Sequence, residues 1–322
     1  MYLLFRGYLG RLAECLGIKN KAVVIYEKIY NMVKSFQMYM LYPTDKKFKN
    51  DNKINIMTIE ETILYIIKNR CSVSRYGDGE FNLLSDNPIG FPKNENSLVS
   101  KLRKVVLAEE NTKCLICLPG IFRYEEEYEK STRKYFLKLL VHKRKEWYSY
   151  CNMNYCYGNA DITRCYLELL DKSKAEKYFE LLKQIWNEQR IVIVEGELTR
   201  LGVGNDLFDN AKKIDRILCP AINAYMCIEK IEEYIKKNVS TECLILLALG
   251  PTAAVLAPRL SVLGFQAIDI GNIDKEYEWY KSRSTYKVRN PLKFSMEMKD
   301  GTEVIDCTDE NYLKQILCRI VC

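Results

Sequence analysis

The sequence has only one histidine, His142, among its 322 residues. Multi-histidine zinc sites and Ser-His-Asp triads both depend on this residue type, so the former are excluded and the latter are disfavoured. If the protein is an enzyme, its chemistry must rest on carboxylates, Arg, Lys, Tyr or a metal ion that carboxylates hold.

Long apolar runs are also lacking. The longest, around Cys243–Pro258, is interrupted by Gly250, Pro251 and Thr252, and no run reaches the roughly 18 residues of a membrane-spanning helix. Only 8 residues are Pro and 15 are Gly, while 48% are hydrophobic and 28% are charged. These proportions exclude a disordered, collagenous or low-complexity chain, and the length predicts one or two globular domains.

The thirteen cysteines are an odd number, and no secretory signal is visible. Cys114 and Cys117 form a CxxC inside an apolar run, which is either a redox or metal half-site or part of a buried strand. The apolar surroundings and the lack of a second CxxC favour the strand. We expect cysteines that serve as small hydrophobic residues in a reduced cytoplasm, and a protein located there or at the inner face of the membrane.

The net charge of +7 is concentrated at the N-terminus. Residues 1–50 contain nine Lys/Arg and three Asp/Glu, a net +6, which leaves +1 for the remaining 272 residues. The chain is therefore a near-neutral body with a basic arm, and no nucleic-acid partner is expected.

The arm is predicted to form two helices, because apolar residues recur at helical spacing at Phe5, Leu9, Leu12 and Leu16 and again at Ile25, Ile29, Val33 and Phe36. It is either a basic amphipathic element that makes peripheral contact with a membrane or a partner, or an extra helical layer packed on the body. The polar stretch Pro43–Asn52 is predicted to be a linker. We therefore assign residues 1–50 to a helical extension and residues 51–322 to the main domain.

From Thr58 onward, predicted helices and strands alternate. Thr58 and Glu61 form a capping box that opens a helix. Short apolar strands are predicted at Ser72–Arg75, Cys114–Leu118, Ile191–Val194, Arg216–Leu218, Cys243–Leu249 and Gln266–Ile270, with helices at about Leu98–Ala108, Glu125–Lys143, Lys174–Glu188, Ile228–Lys236 and Thr252–Leu263. This alternation predicts an α/β fold with a mostly parallel sheet, helices on both faces, and ligands at the carboxyl ends of the strands.

The loop after the first of these strands begins at Arg75 and continues Tyr76-Gly77-Asp78-Gly79-Glu80. Gly77 and Gly79 allow a sharp turn, in which the carboxylates of Asp78 and Glu80 can converge on Mg²⁺ or Mn²⁺. Arg75 can neutralise a phosphate. The alternative is an ordinary acidic turn, but the preceding strand, the arginine and the two glycines favour a ligand site.

The loop after strand IVIV combines Gly196 and two further glycines with Arg200, Asn205 and Asp206. Backbone donors and polar side chains in this density can wrap a nucleotide base, ribose or phosphate. The alternative is a long, solvated surface loop.

Two later loops carry similar signals. Gly250, Pro251 and Thr252 begin a helix whose free N–H groups favour an anion, although plain helix capping is the alternative. The stretch Gly271–Trp279 holds candidate bases and metal ligands, Asp274 and Glu278 among them, or is simply the acidic start of an amphipathic helix.

Five stretches, taken in order, resemble the bacterial GT-D glycosyltransferases, a family first catalogued as a domain of unknown function. They are SRYGDGEF, YGNADITRCY, GELTRLGVGNDLF, LGPTAAVLA and DIGNIDKEYEW, which run from Ser74 to Trp279. The resemblance implies a Rossmann-like sheet distinct from the GT-A and GT-B folds. It also implies metal-assisted transfer of a sugar, a hexose such as glucose, from a UDP-sugar to a glycan or glycoprotein acceptor in cell-surface glycan synthesis.

The same resemblance implies roles for residues. Asp78 and Glu80 correspond to the family's DxE pair, which holds Mn²⁺ or Mg²⁺ and the donor diphosphate. Glu278 matches an acidic residue implicated in catalysis, and Asp274 is a second candidate base. The nucleotide-sugar site would include Arg75, Gly77, Gly79, Gly196, Arg200, Asn205, Asp206, Gly250, Thr252 and Asn272.

Asn272 departs from the family pattern, which has a histidine at this position. Asparagine can coordinate a cation or form hydrogen bonds, but it cannot act as a base. Two other functions therefore stay open. One is a metal-dependent phosphohydrolase, which a carboxylate cluster beside a helix N-terminus would also serve; the other is a non-catalytic module that binds a nucleotide sugar.

Overall fold

A computed structural model describes residues 19–85, 95–108, 113–298 and 300–322. By its internal contacts the chain divides into two units. The first comprises residues up to Lys53 together with Ser131–Lys145, and the second comprises Ile54–Lys130 and Glu146–Cys322. Residues 131–145, which the sequence analysis placed in the main domain, thus belong with the arm.

The helices in the described residues are α1 (Lys19–Asp51), α2 (Ile59–Asn69), α3 (Asp78–Leu84), α4 (Glu95–Val106), α5 (Lys130–Ser149), α6 (Ala175–Trp186), α7 (Ile228–Asn238), α8 (Pro251–Val262), α9 (Ile273–Lys281) and α10 (Glu310–Gln315). The strands are β1 (Asn55–Ile56), β2 (Ser72–Arg75), β3 (Cys114–Leu118), β4 (Cys156–Asn159), β5 (Arg190–Gly196), β6 (Lys213–Cys219), β7 (Leu244–Ala248), β8 (Gln266–Asp269) and β9 (Ile316–Arg319).

The first unit consists of α1 and the Ser131–Lys145 part of α5. Arg144 donates from Nε to Asp45 Oδ1 at 2.8 Å, with both side chains buried, and Lys145 lies 5.5 Å from the ring centre of Phe48. These contacts stabilise the C-terminal part of α1, which continues through Pro43. The prediction of a linker at Pro43–Asn52 is therefore wrong. The helix predicted around Phe5–Leu16 lies outside the described residues.

The second unit contains one nine-stranded sheet in the order β1-β4-β3-β2-β8-β7-β5-β6-β9, and every pair of neighbours is parallel. All five residues of β3 are buried, which requires cover on both faces of the sheet. The predicted fold class, a mostly parallel sheet between helices with an N-terminal helical extension, is confirmed.

Local signals in the sequence explain several boundaries. Thr58 N donates to Glu61 Oε2 at 2.8 Å, and Glu61 N donates to Thr58 Oγ1 at 3.2 Å, so the predicted capping box opens α2. The helix predicted at Glu125–Lys143 instead begins at Lys130, because Tyr128 is extended and interrupts it. The short strands β1, β4 and β9 were not predicted; β1 has only two residues, and Gly158 and Asn159 weaken the strand pattern of β4.

Six free cysteines of the described residues are buried, which agrees with their predicted role as small hydrophobic residues: Cys71, Cys114, Cys117, Cys151, Cys165 and Cys219. Burial raises the pKa of the Cys114 and Cys117 thiols, which disfavours a redox role for the CxxC. Cys227 and Cys322 form a disulfide across 5.2 Å between their Cα atoms, so the expectation of reduced cysteines is wrong for this pair.

The sheet order brings the predicted site loops together. Strands β2, β8, β7 and β5 are consecutive neighbours, and all are parallel, so their carboxyl ends lie side by side. Each of the four loops singled out in the sequence follows one of these strands. In open α/β sheets ligands bind at such an edge.

Candidate functional site

The DxE pair lies in the first turn of α3, at the carboxyl end of β2. Asp78 is the first residue of the helix, and Glu80 Oε2 accepts a hydrogen bond from Gly77 N at 2.8 Å. Burial raises the pKa of Glu80. Residues two positions apart on a helix do not face each other, so Asp78 and Glu80 are not paired by the helix geometry itself. Glu80 caps the turn that positions Asp78.

A divalent cation fits this turn only if a bound diphosphate and waters supply most of its oxygen ligands. No group of three or more His, Cys, Asp or Glu side chains suited to a metal ion occurs in the described part of the chain. Mg²⁺ and similar ions, however, are commonly held by one or two carboxylates while substrate phosphates and waters supply the other oxygens. The carboxylate of Asp78, in the turn that Glu80 caps, therefore suits a cation that arrives with a diphosphate, and does not suit a permanently bound structural metal.

Arg75 organises the edge of the sheet. Its guanidinium donates to Asp269 O at 2.8 Å, Asp269 Oδ1 at 3.0 Å, Ala160 O at 3.1 Å and Thr163 Oγ1 at 2.5 Å. A Cβ at Gly271 would collide with this guanidinium, which explains the glycine there. In this arrangement Arg75 ties the end of β2 to the ends of β4 and β8, and its phosphate role stays a prediction.

A cavity of about 240 Å³ opens at the carboxyl ends of β5, β7 and β8. Four of the predicted residues line it: Gly196, Gly250, Thr252 and Asn272. The backbone of Gly250 (φ 56°, ψ −140°) favours glycine, and it allows α8 to begin with Pro251 at the cavity wall. The remaining wall includes Pro220–Met226, Lys275 and Phe294–Glu297.

The cavity wall combines aromatic groups with a buried polar group that lacks a partner. Tyr225 and Phe294 supply rings, and the Tyr225 hydroxyl lies 2.9 Å from Ser97 Oγ. Ser295 is 3% exposed, and its hydroxyl oxygen has no hydrogen-bond partner among the described residues. Buried polar groups are normally hydrogen-bonded, so an unpaired one in a cavity wall indicates a place for a ligand or water.

Glu297 is the acidic residue of this wall, and basic side chains surround it. Arg164 binds both of its oxygens, Lys287 Nζ lies 3.3 Å from Oε2, and Asn272 Nδ2 donates to Oε1 at 2.6 Å. Partial burial raises the pKa of Glu297, but these cations outweigh that effect and lower the pKa to about 2. Lys275, whose pKa burial lowers, donates to Asn272 Oδ1 at 3.2 Å.

The two predicted catalytic acids lie together around a buried lysine, an arrangement we call the acid–lysine cluster. Lys293 Nζ donates to Asp274 Oδ2 at 2.5 Å and to Glu278 Oε1 at 2.6 Å. Burial lowers the pKa of Lys293, but the two carboxylates outweigh it and the net shift is upward. The cluster does not line the cavity described above.

The loop after β5 is held against this cluster. Asn205 Nδ2 donates to Asp274 Oδ1 at 2.7 Å, and Gly202 N donates to the same oxygen at 2.9 Å. Arg200 is buried and donates to the backbone oxygens of Leu292 and Ile305. Asp206 instead accepts from the Tyr277 hydroxyl at 3.1 Å and lies near Lys281. Arg200, Asn205 and Asp206 thus shape the site without lining the cavity.

Sequence reasoning missed several residues of the cavity and its surroundings. Arg164 belongs to the stretch YGNADITRCY, which was noted for its resemblance but not searched for site residues. Lys275 was passed over beside its acidic neighbours. Lys293, Ser295 and Glu297 follow Trp279, beyond every stretch that carried the resemblance, and no local pattern marked them.

Comparisons with known proteins identify the family and the fold of the chain. The sequence model of one family, described as glycosyltransferases with the GT-D fold, matches residues 73–298 of this chain. The chain is 34% identical over 270 residues to the probable glycosyl transferase Gly of Streptococcus gordonii and 36% identical over 268 residues to the glycosyltransferase GlyD of Streptococcus pneumoniae. These matches cover 84% and 83% of this chain but only 39% and 33% of the two relatives, so the chain spans well under half of their length.

Solved structures give the same result for the fold. One, described as a domain of unknown function 1792, superimposes with a TM-score of 0.80 at 35% identity and covers 88% of this chain and all of that one. Another, described as a new glycosyltransferase from Streptococcus sanguinis, gives a TM-score of 0.78 at 34% identity and covers 84% of this chain and all of that one.

Proposed function

Since the chain belongs to the family of glycosyltransferases with the GT-D fold, we propose that it transfers a sugar, a hexose such as glucose, from a UDP-sugar to a glycan or glycoprotein acceptor. The observation that supports this most directly is the cavity at the carboxyl ends of β5, β7 and β8. It combines aromatic rings, the N-terminus of α8 and an unpaired buried hydroxyl in one pocket.

The donor nucleotide would bind along this cavity. Tyr225 and Phe294 offer rings for the base to pack against, and the first turn of α8, in which Pro251 has no N–H, offers the N–H of Thr252 to the diphosphate. Lys275 adds a positive charge at the same wall. Preorganised donors of this kind stabilise the charge that develops on a UDP leaving group.

Asp78 would hold Mn²⁺ or Mg²⁺ together with the diphosphate, while Glu80 caps the turn that presents it. When bound, the cation supplies charge neutralisation on the leaving group. The side chain of Glu278 is 22% exposed, whereas that of Asp274 is 2% exposed and is fully bonded. Glu278 is therefore the proposed base for the acceptor hydroxyl, and Asp274 positions it through Lys293 and Asn205.

Titration calorimetry of UDP with and without Mn²⁺ tests the donor site on the wild type, Asp78→Asn and Glu80→Gln. We expect metal-dependent binding by the wild type and its loss in Asp78→Asn. Glu80→Gln should keep most of the binding and the fold, because its amide oxygen can still accept the hydrogen bond from Gly77 N. Equal, metal-independent binding by all three proteins would contradict the proposed metal site.

A screen of UDP-sugars for UDP release tests the reaction itself. UDP release from one sugar donor, increased by an acceptor glycan, supports glycosyl transfer. The pairing of Asp274 and Glu278 with the buried Lys293 also favours the second candidate, a module that binds a nucleotide sugar without turnover. That module would bind the donor and release no UDP with any acceptor in the screen.

A further inference from the structure

The first unit carries a charge far larger than the chain as a whole suggests. Residues 19–53 contain eight Lys/Arg and three Asp/Glu, and residues 131–145 contain six Lys/Arg and no acid, a net +11. Residues 54–130 and 146–322 together carry −5. The charge of this protein is therefore concentrated in two helical segments that fold together.

The same unit exposes an apolar stripe along α1, formed by Ile25, Ile29, Met32, Val33, Phe36 and Met40. Their spacings of three and four residues place them on one face of the helix. They are between 45% and 66% exposed, whereas Met38, off this face, is 6% exposed. Large apolar residues contiguous on a surface mark an interaction site.

We propose that the first unit binds the surface of an anionic lipid bilayer, with the α1 stripe inserted at the boundary between headgroups and acyl chains. Basic helices with one apolar face bind membranes in this way, and their affinity combines buried apolar area with attraction to anionic lipids. No helix in the described residues is long and apolar enough to cross a membrane, so the contact is peripheral.

The positive charge of the first unit favours an anionic bilayer over other binding partners of the apolar stripe. A second copy of the chain would bring two surfaces of +11 together, and like charges oppose such an association. Nucleic acid would satisfy the charge but would leave Ile, Met and Val side chains without an apolar partner. An anionic bilayer satisfies both the basic side chains and the stripe. This inference does not depend on the proposed sugar transfer.

Basic residues are exposed on both helices of the unit. Lys28 and Lys46 are exposed on α1, and Lys134 and Lys145 are exposed on α5. Tyr39 and Tyr135, 67% and 56% exposed, are residues of a type enriched where protein meets the membrane interface. Long basic side chains can extend to the headgroups while their stems cover apolar surface.

The test is co-sedimentation of the full chain with vesicles of phosphatidylcholine alone and of phosphatidylcholine mixed with phosphatidylglycerol. We expect binding to the mixed vesicles that weakens at high salt, and little binding to the neutral ones. Phe36→Glu combined with Met40→Glu should abolish binding. Lys134→Glu combined with Lys138→Glu should weaken it about tenfold or more. Val262→Glu, which changes a 68% exposed residue of α8 in the second unit, is the matched control and should bind like the wild type.

Three results would overturn the proposal: binding that the double stripe variant retains, equal binding to neutral and anionic vesicles, and absence of binding at low salt. Sedimentation equilibrium tests whether a second copy of the chain binds the stripe instead of a bilayer. A stable dimer that Phe36→Glu and Met40→Glu dissociate, without vesicle binding by the wild type, would assign the stripe to a second copy instead. Far-ultraviolet circular dichroism confirms that each variant is folded.

Discussion

Asn272 donates from Nδ2 to Glu297 Oε1 at 2.6 Å, and the two side chains meet at the wall of the cavity. The position at which the resemblance led us to expect a histidine is thus an asparagine hydrogen-bonded to a carboxylate. Arg164 and Lys287 also bind this carboxylate, which lines the cavity and would oppose the negative charge of a diphosphate bound there.

Replacement of Glu297 by Gln is therefore expected to tighten UDP binding. The glutamine keeps an acceptor for Asn272 but removes the negative charge from the cavity wall, which reduces the repulsion of the phosphates. Partly exposed ion pairs are worth up to about 1 kcal/mol, so the expected gain is about twofold to fivefold in Kd, measured by calorimetry at low salt. Glu303→Gln, at an exposed position, is the control. Weaker binding by Glu297→Gln would instead make Glu297 a group that positions the ligand.

Ser295→Ala should act in opposite directions on stability and on binding. Its hydroxyl is buried without a partner, so its removal is expected to raise the free energy of unfolding by about 1 kcal/mol in urea melts. Removal of a donor to a bound nucleotide should weaken UDP binding by a similar free energy. Ser72→Ala is the matched control, because the buried Ser72 hydroxyl lies 3.2 Å from Phe265 O and 2.9 Å from Ala267 N, so the substitution should destabilise the fold. Destabilisation by Ser295→Ala would show that the hydroxyl has a partner after all.

Much of the fold could be predicted from the sequence because its signals are local. The apolar run CLICL favours a buried strand, and Thr58 with Glu61 specifies a helix start within four residues. The linker predicted at Pro43–Asn52 was wrong because the stabilising partner of Asp45 is Arg144, 99 residues away. No window of sequence around Pro43 contains that contact.

The candidate site was predictable only where one loop supplied the residues. Gly250, Pro251 and Thr252 lie at the cavity because a single strand end places them there. The acid–lysine cluster needed Asp274, Glu278 and Lys293 to meet, and the lysine comes from a segment without periodicity or motif. The acids therefore looked like available bases in the sequence, whereas the structure pairs them with a buried cation.

Lys293→Met tests the acid–lysine cluster by stability. The substitution leaves two carboxylates near each other without their cation, one of them almost completely buried, and removing one partner of a buried ion pair typically costs about 3 to 5 kcal/mol. Adding Asp274→Asn to this variant should restore part of the loss, because one uncompensated charge disappears. Urea unfolding of the two variants measures the difference.

Lys314→Met, in an exposed pair with Glu310, should change the free energy of unfolding little. A loss below about 1 kcal/mol in Lys293→Met would show that the carboxylates are not buried charges in solution.

Glu276 makes the stability of the second unit depend on pH. Its carboxylate is 2% exposed and accepts hydrogen bonds from Tyr166 N at 2.9 Å and Leu167 N at 2.6 Å. Burial raises its pKa from 4.5 to about 7, against the effect of these bonds and of Arg164. The native state therefore holds this proton more tightly than the unfolded state does, and the stabilisation is complete below the unfolded pKa and is lost as the pH rises through about 7.

The free energy of unfolding should accordingly contain a contribution of about 3 kcal/mol that disappears between the two pKa values as the pH rises. Glu276→Gln keeps an oxygen acceptor for both N–H groups and cannot ionise, so its unfolding free energy should lack this dependence and should exceed that of the wild type most at the alkaline end. Glu233→Gln, at an exposed position of α7, should follow the wild type. Parallel profiles for the wild type and Glu276→Gln, from urea melts across this range, would mean that Glu276 is ionised at little cost and that its two N–H donors suffice to solvate the charge.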